Sequence, residues 1–171
     1  RPPGSTLFPN TTLCRSDVMT GPKYSGATVD GGAGDDVLTA GSGRAKDRHV
    51  FYGGAGNDVL IGGAGADLLD GGPGNDRIEG GTGRNTIYGG PGNDEIIDGD
   101  GGSEIHTGPG RNRVTSEGGD DVIHVGAGHN TLTGGPGATT YIVAYGGVTV
   151  ITHWGPSDRL DLSTWPQKTK I

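Results

Sequence analysis

The stretch GGAGNDVLIGGAGADLLDGGPGNDRIE (53–79) consists of three nonapeptides that share the pattern GGxGxD followed by an apolar residue at the eighth position. The same register continues without insertion from Gly53 to Ile142, which gives ten consecutive units. An eleventh unit, GGAGDDVLT, lies upstream at 31–39, separated from the block by the longer segment 40–52. A fixed short period is typical of a solenoid, in which each repeat stacks on its neighbours.

Two positions of the repeat stay nearly constant along the chain. The fourth is glycine in every unit, and another residue there would need a positive φ at a cost of about 1 kcal/mol or more. The eighth is always apolar, which predicts a short strand of about three residues with one side chain pointing inward. The six remaining residues form turns, so the sequence predicts an all-β stack of turns and parallel strands. The fourth-position glycines are 34, 56, 65, 74, 83, 92, 101, 110, 119, 128 and 137, and the eighth-position residues are Leu38, Leu60, Leu69, Ile78, Ile87, Ile96, Ile105, Val114, Ile123, Leu132 and Tyr141.

The composition limits what the chain can bind. Glycine occupies 38 of the 171 positions, and because glycine loses the most backbone freedom on folding, something beyond a small apolar core must stabilise the fold. The formal charge of −7, without any basic stripe, argues against nucleic acid as a partner and in favour of a cation. Cys14 is the only cysteine, so an internal disulfide or a thiolate metal cluster is excluded. No apolar run is long enough to predict a transmembrane segment.

The GGxGxD pattern with an apolar eighth residue resembles the calcium-binding nonapeptide of the repeats-in-toxin (RTX) family. It covers residues 31–142, and the stretch ITHWGPSDRLDLS (151–163) resembles the flank that follows such repeats. The resemblance implies a right-handed parallel β-roll, in which two nonapeptides make one coil. We therefore expect a roll over 31–142 with an insertion at 40–52, an N-terminal cap at 1–30 and a C-terminal capping flank at 143–171.

In such a roll alternate units stack on the same side, and the family uses the sixth position for carboxylate ligands. Stacked strands lie ~4.8 Å apart, so neighbouring carboxylates repel each other unless a cation lies between them. Calcium suits that gap because it takes six to eight oxygen ligands, some of them backbone carbonyls. One side carries Asp36, Asp58, Asp76, Asp94, Asn112 and Asn130, and the other carries Asp67, Asn85, Ser103, Asp121 and Thr139.

The two sides are not equivalent. On the first side three adjacent pairs are both acidic, which predicts about three strong calcium sites, with a weaker one where Asp94 meets Asn112. On the second side no adjacent pair is acidic, so Asp67 and Asp121 are weaker candidates. The alternative is that these aspartates only make side-chain turns. Turn residues complete the predicted shell through their carbonyls: Gly32, Gly34, Gly54, Gly56, Gly72, Gly74, Gly90 and Gly92.

Two further groups of residues stand outside this pattern. His106 and His124 share the ninth position one coil apart, so their rings are expected to stack on an outer face, either as a transition-metal pair or as two solvated imidazoles. Trp154, Trp165, Tyr141 and Tyr145 are expected to cap the end of the roll as an aromatic cluster, with a carbohydrate platform as the alternative.

The sequence thus predicts a non-catalytic, calcium-dependent folding module of a secreted bacterial protein. The resemblance implies that the chain stays disordered in a low-calcium cytoplasm and folds outside the cell after type I secretion. We expect a monomer without catalytic residues, although the parent protein can be an enzyme or a toxin. The alternative function is a surface-binding module in which the roll presents a rigid face to a glycan, to ice or to a cell.

Overall fold

A computed structural model describes residues 11–14, 18–20, 26, 28–40 and 48–166. These residues form 17 β-strands and contain no helix. The strands are β1 (Thr11–Cys14), β2 (Val18–Thr20), β3 (Thr28–Ala33), β4 (Val37–Thr39), β5 (Val50–Ala55), β6 (Val59–Ile61), β7 (Leu68–Asp70), β8 (Arg77–Gly81), β9 (Thr86–Tyr88), β10 (Glu95–Asp100), β11 (Glu104–His106), β12 (Arg113–Gly118), β13 (Val122–Val125), β14 (His129–Thr133), β15 (Thr140–Val143), β16 (Val148–His153) and β17 (Arg159–Asp161).

Successive strands alternate between two sheets. The odd-numbered strands form a nine-stranded sheet in chain order, and the even-numbered strands form an eight-stranded sheet. Every pairing in both sheets is parallel. The chain therefore winds as a β-solenoid of about seven turns, which confirms the predicted β-roll. Within the described part of the chain, no helix is long and apolar enough to cross a membrane.

The eighth-position residues form the core, as predicted. In the even-numbered sheet Leu60 pairs with Leu38 on one side and Ile78 on the other, eighteen or more residues away. In the odd-numbered sheet Ile87 pairs with Leu69 and Ile105 in the same way. All eleven eighth-position side chains have no exposed surface. Alternate units therefore stack on the same side, and each apolar side chain covers the one in the coil below.

The interior also contains the sixth position, which differs from the single inward residue expected per unit. Residues two apart on a strand point to the same face, so the sixth side chain lies beside the eighth. The sixth-position residues are no more than 2% exposed in any of the eleven units. The candidate ligands therefore lie inside the roll and next to its apolar core.

The segment 40–52 takes the place of one unit between Asp36 and Asp58, as its length and the order of the stacked aspartates predict, and it contains a degenerate repeat. Residues 44–52 keep the nine-residue spacing to the unit at Gly53, and Phe51 takes the eighth position. Phe51 is 1% exposed and pairs with Val29 and Leu69. The part of this segment at 41–47 lies outside the described residues. Because this unit lacks the GGxG signature, only its spacing and its apolar eighth residue reveal it.

Both sheets continue into the flanks of the repeat block. Strands β1 and β2 pair with β3 and β4, and strands β16 and β17 pair with β14 and β15. The four aromatic residues predicted to cap the end of the roll form two pairs. Tyr141 stacks on Trp154, and Tyr145 meets Trp165 edge to face, each with ring centroids 5.7 Å apart. The boundaries at 1–30, 31–142 and 143–171 remain predictions.

Candidate calcium centre

The sixth-position side chains on the even-numbered side form a continuous hydrogen-bonded column. The backbone N–H of Asp58 donates to Oδ1 of Asp76 at 2.8 Å, and that of Asp76 donates to Oδ1 of Asp94 at 3.0 Å. The same bond links Asp36 to Asp58, Asp94 to Asn112 and Asn112 to Asn130. The column therefore places the four predicted carboxylates and the two asparagines on successive coils in the expected order.

Where the column contains asparagine, its second terminal atom finds an acceptor. Nδ2 of Asn112 donates to the carbonyl oxygen of Gly108 at 3.1 Å, and Nδ2 of Asn130 donates to that of Gly126 at 2.9 Å. Both glycines occupy the second position of their units. Each of these asparagine side chains thus donates a hydrogen bond to a carbonyl group in the turn of its own unit.

Where the column contains aspartate, the corresponding atom is Oδ2, which cannot donate. Oδ2 is fully buried in Asp58, Asp76 and Asp94, and among the described residues it has no hydrogen-bond partner. A buried carboxylate oxygen without a donor costs several kcal/mol unless a cation or a proton neutralises it. Asp58, Asp76 and Asp94 therefore lack, among the described residues, the donor that each asparagine carries in its own side chain.

Burial raises the pKa values of these carboxyl groups. The pKa of Asp76 rises to about 7, mainly because burial disfavours its charged form, with Asp58 and Asp94 adding repulsion. Burial likewise raises the pKa of Asp94 to about 6 and raises the pKa of Asp58. Backbone hydrogen bonds to Oδ1 oppose these shifts without cancelling them. The charged forms of these carboxyl groups are therefore disfavoured unless a cation or a proton neutralises them.

Because the first-position glycines have no side chain, they leave room for the carboxylate groups of the aspartate column. A Cβ added to Gly53 would lie 2.5 Å from Oδ2 of Asp58 and 2.6 Å from the carbonyl oxygen of Gly71. Gly31, Gly71 and Gly89 stand in the same relation to Asp36, Asp76 and Asp94. A side chain at the first position would therefore fill the cradle beside each carboxylate.

The predicted carbonyl ligands lie in turns that stack directly on one another. A Cβ on Gly54, which has φ of 102°, would collide with the carbonyl oxygen of Gly32 in the adjacent coil. The second-position glycines thus form one row of stacked carbonyl groups, and the fourth-position glycines form another. Both rows run along the same edge as the aspartate column. Their positive φ values range from 88° to 158°, and the residues are Gly32, Gly34, Gly54, Gly56, Gly72, Gly74, Gly90 and Gly92.

The column on the odd-numbered side is also hydrogen-bonded from His49 to Asp121, but its two aspartates have additional side-chain partners. Asp67 accepts hydrogen bonds through Oδ1 from the backbone N–H of His49 at 2.6 Å, and His49 Nδ1 lies 3.1 Å from the same oxygen. Ser116 donates to Oδ2 of Asp121. These contacts give the two weaker candidates polar neighbours of their own, although Oδ2 of Asp67 has no partner among the described residues. Burial raises the pKa of both carboxyl groups.

Sequence reasoning missed three buried polar residues, one in this second column and two that bond to it. His49 holds the sixth position of the degenerate unit 44–52, and it is 2% exposed. Asp98 and Ser116 occupy the first position, where most units have glycine, and both are buried. Oδ1 of Asp98 accepts from Nδ2 of Asn85 at 3.3 Å. Their departure from glycine at the first position was the signal that could have identified Asp98 and Ser116.

Four copies of the RTX calcium-binding nonapeptide repeat match the chain, at residues 28–44, 50–78, 70–104 and 106–141. The chain belongs to the RTX calcium-binding repeat family. No curated protein and no solved structure matches it significantly. The match includes 40–44 and 50–52, so it extends into the segment between the upstream unit and the block of ten repeats.

The RTX repeats of the chain form a structural calcium-binding module, and the repeat itself is not catalytic. The buried column fits that class of ligand, because it offers carboxylate and carbonyl oxygens and no sulfur or imidazole on the even-numbered side. The aspartates from Asp36 to Asp94 and the glycine carbonyls beside them are oxygen atoms of the kind that calcium binds. The asparagines at 112 and 130 replace the charge with an internal donor.

Proposed function

We propose that this RTX segment is a calcium-dependent folding module, with its strong sites along the column from Asp36 to Asp94. The observation that carries this proposal is the buried Oδ2 of Asp58, Asp76 and Asp94, which faces no donor among the described residues. Calcium would supply the positive charge that neutralises these oxygens. Asn112 then forms a weaker end to the column, and Asp67 and Asp121 are weaker candidates on the other side.

The residues of the chain each have a part in this mechanism. The aspartates hold one coil to the next through Oδ1 and leave Oδ2 for the cation. The glycine turns provide carbonyl oxygens and the space beside each carboxylate. Without a cation, adjacent buried charges oppose stacking, so ion binding and coil stacking become one equilibrium. The free energy of ion binding therefore contributes directly to folding.

This coupling supports a role outside the cell. RTX repeat proteins are generally extracellular, and extracellular calcium modules bind at about 10⁻⁴–10⁻³ M. A module of that affinity stays unfolded at cytoplasmic calcium levels, which suits passage through a type I secretion apparatus. It then folds as a monomer in the exterior and stabilises the secreted parent protein.

Asp76→Ala tests the assignment of the column, because Asp76 lies between Asp58 and Asp94. We expect this variant to lose about two bound calcium ions, since the side chain belongs to two adjacent sites. Asn130→Ala is the matched control, because Asn130 lies in the same column but bonds to the Gly126 carbonyl. Equilibrium dialysis with radioactive calcium gives the stoichiometry of both variants. An unchanged stoichiometry in Asp76→Ala would show that the column does not bind the ions.

A further inference from the structure

A second cluster of metal-ligating side chains lies on the outer face of the odd-numbered sheet. Glu104 and His106 are two residues apart on β11, so they share a face, and His124 on β13 pairs directly with His106. Nε2 of His106 lies 3.2 Å from Oε1 of Glu104, and Nε2 of His124 lies 3.5 Å from the same oxygen. The ligand atoms of all three lie within 4.8 Å of one another.

The two imidazole rings stack as expected from their shared position in the repeat. Their centroids are 4.3 Å apart with an interplanar angle of 8°, and Tyr88 stacks on the other face of His106 at 4.7 Å. The rings are therefore held side by side with both Nε2 atoms beside one carboxylate oxygen. The histidine side chains are 30% and 35% exposed, which leaves the cluster open to solvent on one side.

These separations match the coordination shell of a small cation. In a tetrahedral zinc site with bonds of ~2.0–2.2 Å, neighbouring ligand atoms lie about 3.3–3.6 Å apart. The two oxygen-to-nitrogen distances in the cluster come within about 0.1 Å of that interval. Because the stacked rings are nearly parallel, the imidazoles would rotate about their side-chain bonds to point both lone pairs at one ion. Two histidines and one carboxylate favour zinc or a similar transition metal over calcium, which prefers oxygen.

The surroundings of His106 favour its neutral form, which is the form of imidazole that binds metal. Burial lowers the pKa of His106, and the neighbouring His124 lowers it further, while Glu104 opposes both effects. The cluster is also separate from the aspartate column, because its side chains point outward from the opposite sheet.

We propose that Glu104, His106 and His124 form a binding site for a transition-metal cation of the zinc class on the outer face of the roll. Three protein ligands leave a fourth position for water or for a side chain of a partner. The RTX module would then carry two chemically distinct metal sites, an internal calcium column and an external zinc site. The proposal does not depend on how many calcium ions the column binds.

Zinc titration of the tag-free chain in excess calcium tests this site. Calcium keeps the roll folded and occupies the carboxylate column, and a chromogenic chelator reports competition for zinc. We expect one zinc ion per chain, with His124→Ala and Glu104→Gln each weakening binding about tenfold or more. His129→Ala is the matched control, since His129 is an exposed histidine on the other sheet, and its zinc affinity should equal that of the unmodified chain.

Cobalt gives a second readout that depends on the ligand set. Visible absorption bands of a four-coordinate nitrogen and oxygen site should appear on addition of Co²⁺ and disappear in His124→Ala. Circular dichroism confirms that each variant remains folded in calcium. The proposal is overturned if zinc fails to bind, if His124→Ala binds it as tightly as the unmodified chain, or if only Asp76→Ala weakens binding.

Discussion

At the sixth position of the repeat, aspartate and asparagine accept the same backbone hydrogen bond through Oδ1 and differ in the second terminal atom. In Asn112 that atom is a donor that reaches the Gly108 carbonyl, and in Asp76 it is a buried acceptor that faces no donor among the described residues. In the proposed mechanism, this difference of one atom separates coils that are complete by themselves from coils that require a cation. It also suggests a substitution that should remove the calcium requirement.

The triple variant Asp58→Asn, Asp76→Asn and Asp94→Asn should be more folded than the unmodified chain in the absence of calcium. Each new amide can donate to its own turn carbonyl, as Asn112 and Asn130 do, and the repulsion between buried carboxylates disappears. Far-UV circular dichroism in chelator measures the β content, and dialysis measures the calcium lost. A triple variant that needs as much calcium to fold as the unmodified chain would contradict this account of the column.

The raised carboxyl pKa values predict that the metal-free fold is more stable in acid. Asp76 and Asp94 have folded-state pKa values of about 7 and about 6, above the ~3.9 of an unfolded aspartate. The folded state therefore binds more protons than the unfolded state between these values. The stability that these two groups contribute is fully present below about pH 4 and is lost as the pH rises through about 6–7.

We accordingly expect the urea midpoint of the metal-free chain to be higher at about pH 5 than at about pH 8. In saturating calcium the urea midpoint should be the same at both pH values or higher at about pH 8, because bound calcium replaces the protons on the carboxyl groups. The triple asparagine variant is the control, since it has lost three of the buried titrating groups. A metal-free chain that is more stable at the higher pH would show that these carboxyl groups are not buried as described.

The sequence predicted the members of the aspartate column but not their environment. Their spacing identified which residues share a side, because two nonapeptides per coil follow from the family resemblance. Burial was missed, since the analysis assigned only the eighth position to the interior, although residues two apart on a strand share a face. His49 and Asp98 were missed because neither fits the GGxGxD pattern, and their partners become visible only when the coils are stacked.

At the scale of the element, each unit joins a short strand to a glycine turn that lies against the turns above and below it. Backbone bonds between turns, such as Gly54 N–H to the Gly71 carbonyl at 3.1 Å, continue the parallel ladders of the strands. Asparagines at the fifth position add an outer ladder, in which Asn75 and Asn93 bond to the preceding coil. A larger side chain in one turn must therefore displace the turns of the adjacent coils.

Gly53→Ala should destabilise the calcium-loaded roll by about 1–3 kcal/mol, the usual cost of overpacking a tight interior. The added methyl group would contact Oδ2 of Asp58 and the Gly71 carbonyl, and both belong to the stacked turn. Gly155→Ala is the matched control, because the nearest atom to its Cβ would be an Asp158 carboxylate oxygen at 3.6 Å. Urea unfolding in saturating calcium compares the two. Equal effects of the two substitutions would contradict the close stacking at the first position.

The degenerate unit 44–52 shows what a repeat needs in order to remain in the solenoid. It has lost the first glycine pair but keeps Phe51 in the core and His49 in the second column. The apolar eighth residue and the nine-residue spacing therefore suffice to continue the two sheets. The glycine signature marks the coils in which the turns carry the candidate calcium ligands.

At the scale of the whole molecule, the roll has a narrow apolar core and a large negative charge. Residues 31–142 carry 16 acidic and 7 basic side chains, a formal charge of −9, and several of the acids are buried. Each coil contacts only its neighbours, so stability accumulates along the stack and depends on each interface between coils. Cations that join successive coils therefore act on the weakest part of the fold.

The most direct test of this account is a calcium titration of the metal-free chain at neutral pH, followed by far-UV circular dichroism. We predict a cooperative gain of β signal with calcium and none with an equal concentration of magnesium, which keeps its water ligands more firmly. If the metal-free chain already shows the full β signal and calcium leaves it unchanged, the claim that calcium drives folding is contradicted, and the roll is a scaffold that forms without its ions.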